Sequence, residues 1–255
     1  MYDGCMIRNR VPHIILLYWI IKIASTTLGE TGADMFSMTF NLGYGETIAI
    51  FMGLFAAFLA VKLLLKGYHP VVYWLTFTAS AIAGTAISDF IDRTLGLGYT
   101  AGSALLVALL LVTLLLWYWK ERSISVEYVS TSSAELFYWA AFLISNTLGT
   151  AAGDYLADDL GFGFIHSALI ISALLAVIAL LHYFTRVSGT LLFWLAFVLT
   201  RPFGATFGDL LTKPLAKGGL NLGTIGSSVF FCAVLLFTIH REMQLEKERR
   251  LKADI

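Results

Sequence analysis

Four aspartates occur at one repeated position of an otherwise apolar sequence. Each follows a tryptophan by 15 residues, in the pairs Trp19 and Asp34, Trp74 and Asp89, Trp139 and Asp154, and Trp194 and Asp209. Glu30 lies four residues before Asp34, so these two acids share one helical face. A charged group at membrane depth is costly and usually faces a partner or a pathway. The five acids are therefore the first candidates for chemistry.

Bases are scarce beside these acids. The face that includes each aspartate and the residues one, four and eight positions before it contains Arg201 but no other base. Lys22 lies one turn inside the cytoplasmic edge, and its side chain is predicted to reach the interface. Full ionisation would leave a negative site, which a bound cation or raised carboxylate pKa values would neutralise. This imbalance favours cation and proton exchange.

The predicted metal ligands are the five carboxylates Glu30, Asp34, Asp89, Asp154 and Asp209. Further oxygen donors come from Thr27, Thr31, Thr85, Ser88, Asn146 and Thr150. Such hard donors suit magnesium, calcium, manganese or sodium. Glu30 and Asp34 are the strongest pair, because two like charges on one face repel unless something lies between them.

A simpler alternative is that the four aspartates hold the turn that follows each helix, since Asp near a helix end often bonds backbone amides. Asp92, Asp158 and Asp159 lie at or beyond the span ends and are predicted to be solvated. The fourth copy differs by its Arg201-Pro202 step, where proline frees a backbone carbonyl. Arg201 either neutralises an acid or contacts an anionic substrate.

The elements that position these residues form four copies of one unit. A serine or threonine lies six residues after each tryptophan and a glycine lies ten residues after it, in the pairs Ser25 and Gly29, Ser80 and Gly84, Ser145 and Gly149, and Thr200 and Gly204. Small residues at this spacing let membrane helices pack closely. A glycine-bearing turn and a long apolar run follow each aspartate, so each unit is predicted to be helix, turn, helix.

The fold class predicted is an all-α polytopic membrane protein of eight transmembrane helices, with the odd-numbered helices inside and the even-numbered helices facing lipid. The spans are 14–35, 46–65, 71–92, 100–119, 136–157, 164–184, 190–211 and 223–240. The first half (1–120) contains repeat 1 (12–66) and repeat 2 (67–120). A cytoplasmic connector (121–135) leads to the second half (136–240), which contains repeat 3 (136–185) and repeat 4 (186–240). A cytoplasmic tail (241–255) follows.

Composition and charge set the environment and the orientation. The chain is 58% hydrophobic and 13% charged, with a mean hydropathy of +0.79, and its zero net charge gives no reason to expect nucleic-acid binding. The termini and the connectors between units carry twelve Lys and Arg residues, whereas the turns within units carry only Arg93, Lys213 and Lys217. Both termini are therefore predicted to be cytoplasmic.

Two consequences follow from this orientation. All four units run the same way, which predicts a pseudo-two-fold axis along the membrane normal that relates the two halves. The tryptophans fall at the cytoplasmic interface, where they are predicted to act as anchors.

Cys5 and Cys232 lie far apart and the histidines are scattered, so neither a disulfide framework nor a zinc site is expected.

Three segments carry a resemblance to a known family: Trp19-Ile-Ile-Lys22 with Gly29-Glu30 and Asp34; Gly149 to Asp154; and Thr200-Arg-Pro-Phe-Gly204 with Asp209. The chain resembles, over residues 12–240, a bacterial family of four tandem two-helix repeats. That family is catalogued as a repeat of unknown function and described as an uncharacterised membrane-anchored protein. The resemblance implies the architecture and an inner-membrane location, but it implies little about function.

The leading functional hypothesis is a secondary transporter that exports a hard divalent cation, with manganese favoured, by proton exchange. Its transport residues are Lys22, Glu30, Asp34, Thr85, Asp89, Asn146, Thr150, Asp154, Arg201 and Asp209. The alternatives are a proton-coupled transporter of a small organic or anionic solute, with Arg201 as the substrate contact, and a scaffold without transport activity. No catalytic residues or bound cofactors are expected. The predicted partners are the lipid bilayer and a small cation or solute as substrate. Association of two copies into a homodimer is left open by the sequence.

Overall fold

Long helices make up most of the described structure. The computed structural model describes residues 9–65, 67–124 and 129–253. Within these residues lie eight long helices: α1 (Leu16–Asp34), α2 (Gly43–Leu65), α3 (Pro70–Asp89), α4 (Gly98–Glu121), α5 (Ser132–Asp154), α6 (Gly163–Phe184), α7 (Gly189–Thr212) and α8 (Thr224–Ala253). The all-helical fold is confirmed. Cys5, Arg8 and Lys66, which entered the predictions on disulfides and topology, lie outside the described residues, as do the side chains of Arg250 and Lys252.

The four odd-numbered helices form a closed ring. Helix α1 packs against α3, α3 against α5, α5 against α7, and α7 against α1. Each even-numbered helix packs outside the ring against the inner helix of the following repeat: α2 on α3, α4 on α5, α6 on α7, and α8 on α1. The predicted arrangement, with odd-numbered helices inside and even-numbered helices outside, is therefore confirmed.

Six helices are long and apolar enough to cross a membrane: α2, α3, α4, α6, α7 and α8. The outer helices among them are mostly exposed despite their apolar surfaces, which a water-soluble protein rarely tolerates over so large an area. These features indicate a multi-pass membrane protein. Helices α1 and α5 are more polar, as suits helices that are surrounded by protein in the ring.

Close helix contacts in the ring occur at the repeated glycines. A Cβ atom at Gly29 would lie 2.7 Å from Ala81 Cβ, and one at Gly84 would lie 3.0 Å from Asn146 Cβ. One at Gly149 would overlap the Arg201 side chain, and one at Gly204 would lie 2.7 Å from Thr26 Cβ. In all four contacts the partner lies seven residues after the tryptophan of the neighbouring repeat. The small-residue pattern therefore sets the width of the ring.

Turns join each inner helix to its outer helix. A π-helical turn follows the aspartate in the first three repeats, at Met35–Thr39, Phe90–Thr94 and Tyr155–Asp159. Gly98 and Gly163, which begin α4 and α6, have φ angles of +71° and +67°. L-residues with side chains rarely adopt this left-handed region, so glycine is required at these turns.

The prediction that the tryptophans anchor the protein in the lipid interface is wrong for three of them. Trp74, Trp139 and Trp194 are buried, and Trp19 is half-buried. They pack among neighbouring aromatic rings, for example Tyr73 against Trp139 at a centroid distance of 5.2 Å. The ring of helices closes around these side chains, so they contribute to the core of the bundle.

Replacing Gly84 by alanine should destabilise the protein. The added methyl group would lie 3.0 Å from the backbone nitrogen of Thr147, which has little freedom to move, so α3 and α5 would have to separate. Overpacking of this kind costs about 1–3 kcal/mol. Thermal unfolding in detergent measures the effect. Gly53→Ala in α2 is the matched control, because its Cβ would meet nothing within 4 Å; an equal loss in both variants would contradict the packing role.

Candidate functional site

Two basic residues pair the four repeat aspartates at one end of the ring. Arg93 lies 3.4 Å from Asp89 and 3.0 Å from Asp154. Lys213 lies 2.7 Å from Asp34 and 3.1 Å from Asp209. Each base therefore joins the aspartate of its own repeat to that of the following repeat, with repeat 1 following repeat 4. We call these six residues the acid layer.

The acid layer corrects the predicted charge imbalance. Arg93 and Lys213 were assigned to turns and were not considered as partners of the acids, yet the structure brings both to the buried carboxylates. The sequence did contain a signal, because each base lies four residues after a repeat aspartate and the two bases are 120 residues apart. That shift is the one that maps the first two repeats onto the last two.

Lys213 stays charged in this setting. Burial alone would favour its neutral form, but Asp209 and Asp34 outweigh burial and raise the pKa of Lys213 above its ordinary value. Its side chain is 18% exposed and that of Arg93 is 32% exposed, whereas the aspartates beneath them are buried. At this end of the ring, the two bases therefore lie between the aspartates and the surroundings.

The alternative that the aspartates hold the turns after their helices is supported by the ion pairs with Arg93 and Lys213, which lie in those turns, but not by capping hydrogen bonds. Asp34, Asp89 and Asp154 precede the π-helical turns without accepting a side-chain capping hydrogen bond from them. Asp92 was predicted to be solvated, which is wrong, because it is buried beside Ser88. Asp158 and Asp159 are exposed, as predicted.

A second charged cluster lies deeper in the ring, with one residue from each inner helix. The Glu30 carboxylate lies 3.4 Å from Arg201 and accepts hydrogen bonds from Thr85 (3.2 Å) and Thr150 (3.3 Å). Arg201 Nη2 also donates to the hydroxyls of Thr150 (2.8 Å) and Thr85. All four residues are buried. We call Glu30, Thr85, Thr150 and Arg201 the central cluster.

Glu30 and Asp34, which were predicted to form one site, belong to different clusters in the structure. Glu30 contacts Arg201, whereas Asp34 contacts Lys213. Each of these two acids therefore pairs with a different base, and their repulsion does not require an ion between them. Among the residues that the structure describes, no three His, Cys, Asp or Glu side chains are grouped so as to hold a metal ion.

Lys22 lies on the other side of the central cluster, in an aromatic setting. Three phenylalanines that come three residues after their tryptophans, Phe77, Phe142 and Phe197, contact one another, with the closest centroids, those of Phe142 and Phe197, 4.0 Å apart. Lys22 occupies the equivalent position of repeat 1. We call these four residues the aromatic layer.

The predicted snorkelling of Lys22 is wrong, because its side chain is fully buried. Its ammonium group lies 3.8 Å from the centroid of the Phe197 ring and donates hydrogen bonds to Phe197 O (2.8 Å) and to the Thr200 hydroxyl. No carboxylate lies within ion-pair distance of Lys22 among the described residues. The aromatic layer therefore holds a buried amine that has no carboxylate partner among the described residues.

At the seventh position after the tryptophans, between the central cluster and the aromatic layer, two of the described side chains have a polar atom without a hydrogen-bond partner. These atoms are Nε of Arg201 and Oδ1 of Asn146. The Asn146 amide nitrogen donates to the Ser80 hydroxyl at 3.0 Å. Both residues lie seven positions after their tryptophan, in the same register of the ring. A buried donor and a buried acceptor left unpaired commonly mark the place of water or a ligand.

A third charged group lies beyond the aromatic layer, at the start of α5. Glu135 accepts contacts from Arg10 (2.7 Å) and Lys62 (2.8 Å), and all three side chains are buried. The N-terminal arm bonds to two of the three connectors between units: Arg10 N donates to Val129 O, and Tyr68 N donates to Asn9 O. The sequence offered no signal for this cluster beyond the charges themselves.

The repeat seen in these contacts is also found by comparison. A family model described as Repeat of Unknown Function (DUF347) matches residues 17–68, 72–123, 137–188 and 192–241. The chain belongs to this family. Each match begins two residues before the repeat tryptophan, so the family unit has the register of the ring layers described above. No curated protein and no solved structure matches the chain significantly.

Removing the Arg93 side chain by alanine substitution should cost on the order of 2–3 kcal/mol of stability. Asp89 and Asp154 would be left buried without their base, and the estimate lies below the figure for a fully buried pair because Arg93 is partly exposed. Chemical or thermal unfolding in detergent provides the measurement.

The control is Arg249→Ala, which removes an exposed arginine 3.9 Å from Glu246 and should change stability by less than about 0.5 kcal/mol. Restoring much of the lost stability by adding Asp154→Asn to Arg93→Ala would support the pairing. Similar losses for Arg93→Ala and Arg249→Ala would contradict it.

Proposed function

We propose that the protein is a proton-coupled secondary transporter of the bacterial inner membrane, and that all eight helices cross the bilayer. Helices α1 and α5 have 19 and 23 residues, close to the ~20 needed to span the hydrocarbon core. Their polar residues face other helices of the ring, so a low mean hydropathy does not prevent them from spanning. The excess of Lys and Arg at the termini and connectors supports cytoplasmic termini.

A pseudo-two-fold axis along the membrane normal completes this proposed architecture. The pairing of Arg93 with Asp89 and Asp154 becomes that of Lys213 with Asp209 and Asp34 after a shift of 120 residues, with repeat 4 followed by repeat 1. The glycine contacts of the ring repeat in the same way. Parallel repeats of this kind occur in known transporter folds, around a binding site near the midplane.

The topology is testable with single cysteines. A cysteine at Gly96, in the turn within repeat 2, should react with a membrane-impermeant maleimide from the outside of intact cells, in a background without native cysteines. A cysteine at Arg122, in the connector between the halves, should react only after the cells are opened. The opposite result at both positions would reverse the orientation, and equal labelling of both would contradict the eight spans.

The observation that carries the transport proposal is the buried central cluster, closed on both sides. The acid layer covers it at one end, and the aromatic layer covers it at the other. Charged groups inside a membrane protein usually mark a substrate or ion pathway. A polar site closed toward both sides is what an alternating-access transporter presents between its two open states.

Proton coupling is supported by the balance of charges. The acid layer and the central cluster together contain five carboxylates but only the three bases Arg93, Arg201 and Lys213. Protons on the carboxylates would neutralise the excess. Glu30 is the best proton carrier, because it lies 3.4 Å from Arg201, which also donates to two threonine hydroxyls. Asp34, by contrast, lies only 2.7 Å from Lys213.

Transport can be tested in everted membrane vesicles that are acidified inside by respiration. The pH-sensitive dye ACMA reports proton movement when succinate, sulfate, glutamate, alanine, putrescine or manganese(II) is added. At least one compound should shift the signal with the wild type but not with empty-vector vesicles, and Glu30→Gln should reduce the shift at least about tenfold. The control Glu246→Gln alters a carboxylate of the α8 tail and should leave the shift unchanged. No shift with any compound would sink the proposal in favour of a scaffold.

Manganese export is the second candidate. The excess of two carboxylates over bases favours it, together with the hard oxygen donors of Thr85 and Thr150. The manganese arm of the vesicle assay separates the two candidates. A response to manganese(II) alone, abolished by Asp34→Asn, would favour the cation exporter, whereas a response to succinate, sulfate or glutamate would favour a transporter of anionic solutes.

A further inference from the structure

Two buried cations meet the same stretch of α1. Lys22 belongs to this helix, and Arg201 Nη1 donates to Thr26 O at 3.2 Å, one turn further along. The Lys22 ammonium group binds the hydroxyl of Thr200, the chain neighbour of Arg201. When both groups are protonated, their positive charges repel each other. Both side chains are fully buried, so solvent does not screen this repulsion.

Neither cation is well paired. Lys22 has two oxygen acceptors and the Phe197 ring, but no carboxylate among the described residues. Arg201 donates to the carbonyls of Thr26 and Ala81 and to two threonine hydroxyls. Its carboxylate partner Glu30 lies at 3.4 Å, longer than the 2.7–2.9 Å of strong charge-assisted bonds, and its Nε has no partner among the described residues. A buried cation is normally paired, since an uncompensated charge is expensive to remove from water. The two basic groups thus have Glu30 as their one carboxylate partner among the described residues, and it pairs with Arg201 alone.

The position of Lys22 is unusual for the repeat. The other three repeats have phenylalanine there, and those rings form an apolar barrier across the ring of helices. A fourth phenylalanine would complete the barrier without the cost of a buried charge. Lys22 instead places a donor at the boundary between the barrier and the central cluster. Such a substitution suits a binding group better than a packing group.

We infer that Lys22 and Arg201 together bind the anionic group of the transported solute, a small carboxylate, sulfate or phosphate. This inference rests on the proposed transport function and names its substrate class. The anion lies between the two cations and accepts hydrogen bonds from Lys22 Nζ and from the guanidinium of Arg201. The aromatic layer on one side and the central cluster on the other limit the solute to a small size.

Anion binding is coupled to one proton through Glu30. The anion and the Glu30 carboxylate compete for Arg201. When the anion takes Arg201, Glu30 loses its base, and one of its oxygens forms an O–H bond with a proton from the solution. The site then carries one anion and one additional proton, so no net charge is added for a monovalent anion. By linkage, anion affinity rises as the pH falls.

The charged groups around both residues are consistent with this exchange. Arg201 of α7 is the charged group that acts on Lys22, while α3 contributes the Phe77 ring at 5.8 Å and residues 224–239 of α8 contain no charged side chain. The charged groups around Glu30 are Arg201, Asp34, Lys213, Arg93, Asp89, Asp154 and Asp209. The acids among them disfavour a second negative charge once Arg201 is engaged, which promotes proton uptake.

The test measures binding by the purified full-length protein in detergent, through thermal unfolding followed by tryptophan fluorescence. The probes are sodium sulfate, sodium phosphate and sodium succinate, compared with sodium chloride at equal ionic strength. At least one probe should raise the Tm of the wild type. If it does not, the anion site is excluded, while the proposed transport function still stands or falls by the separate vesicle assay. Sulfate, which does not titrate in this range, should bind more tightly at pH 6 than at pH 8; no difference would exclude the exchange with Glu30.

Lys22→Met distinguishes a binding role from a structural one. Methionine fills the space without the uncompensated charge, so the Tm without a probe should be unchanged or higher, whereas the apparent Kd for the stabilising anion should rise at least about tenfold. Lys247→Met, on the exposed tail, is the control and should keep the wild-type Kd. A marked loss of Tm in Lys22→Met would show a structural lysine, and an unchanged Kd would show an uninvolved one; either result would overturn the inference.

Discussion

The close packing of four inner helices at glycine is the constraint on which the rest of the structure depends. Each contact places the backbone of one inner helix against the residue seven positions after the tryptophan of the next repeat. Only at this separation can Arg93 reach from its own repeat to Asp154, or Arg201 reach Glu30, Thr85 and Thr150 on three other helices. The glycines have no chemistry of their own, but they determine which charges can meet.

The layers along the ring show how four similar units came to differ. At three residues after the tryptophan the residues are three phenylalanines and Lys22; at seven they are threonine, alanine, asparagine and arginine; at eleven they are Glu30, two threonines and an alanine. At fifteen all four are aspartate. The outer layer has kept the repeated residue and gained two bases, whereas the inner layers have diverged. A site for an asymmetric solute requires such divergence, because four equal positions cannot distinguish its two ends.

Much of this fold could be predicted from the sequence, because a membrane limits the possible structures. Helix number, the inner and outer layers and the small-residue contacts all followed from the apolar runs and the tryptophan-to-aspartate spacing. The pairing of the charged residues could not be predicted in the same way. Arg93 and Lys213 lie in segments that look like solvent turns, and their partners Asp154 and Asp34 are 61 and 179 residues away. Lys22 was misjudged because snorkelling assumes that lipid surrounds the helix, whereas α7 and the Phe197 ring surround this side chain.

The distance along the chain between these partners has a consequence for biosynthesis. Glu30 and Asp34 leave the ribosome in the first helix, but their bases Arg201 and Lys213 follow 171 and 179 residues later. At ~5–20 residues per second, this delay amounts to roughly 10–35 s. During that interval α1, which is not among the six helices apolar enough to insert by composition alone, has neither its counter-charges nor its neighbours α7 and α8. In the proposed eight-span topology, α1 would therefore be among the last of these helices to settle in the bilayer, and until then it would depend on the translocon or an insertase to shelter its acids.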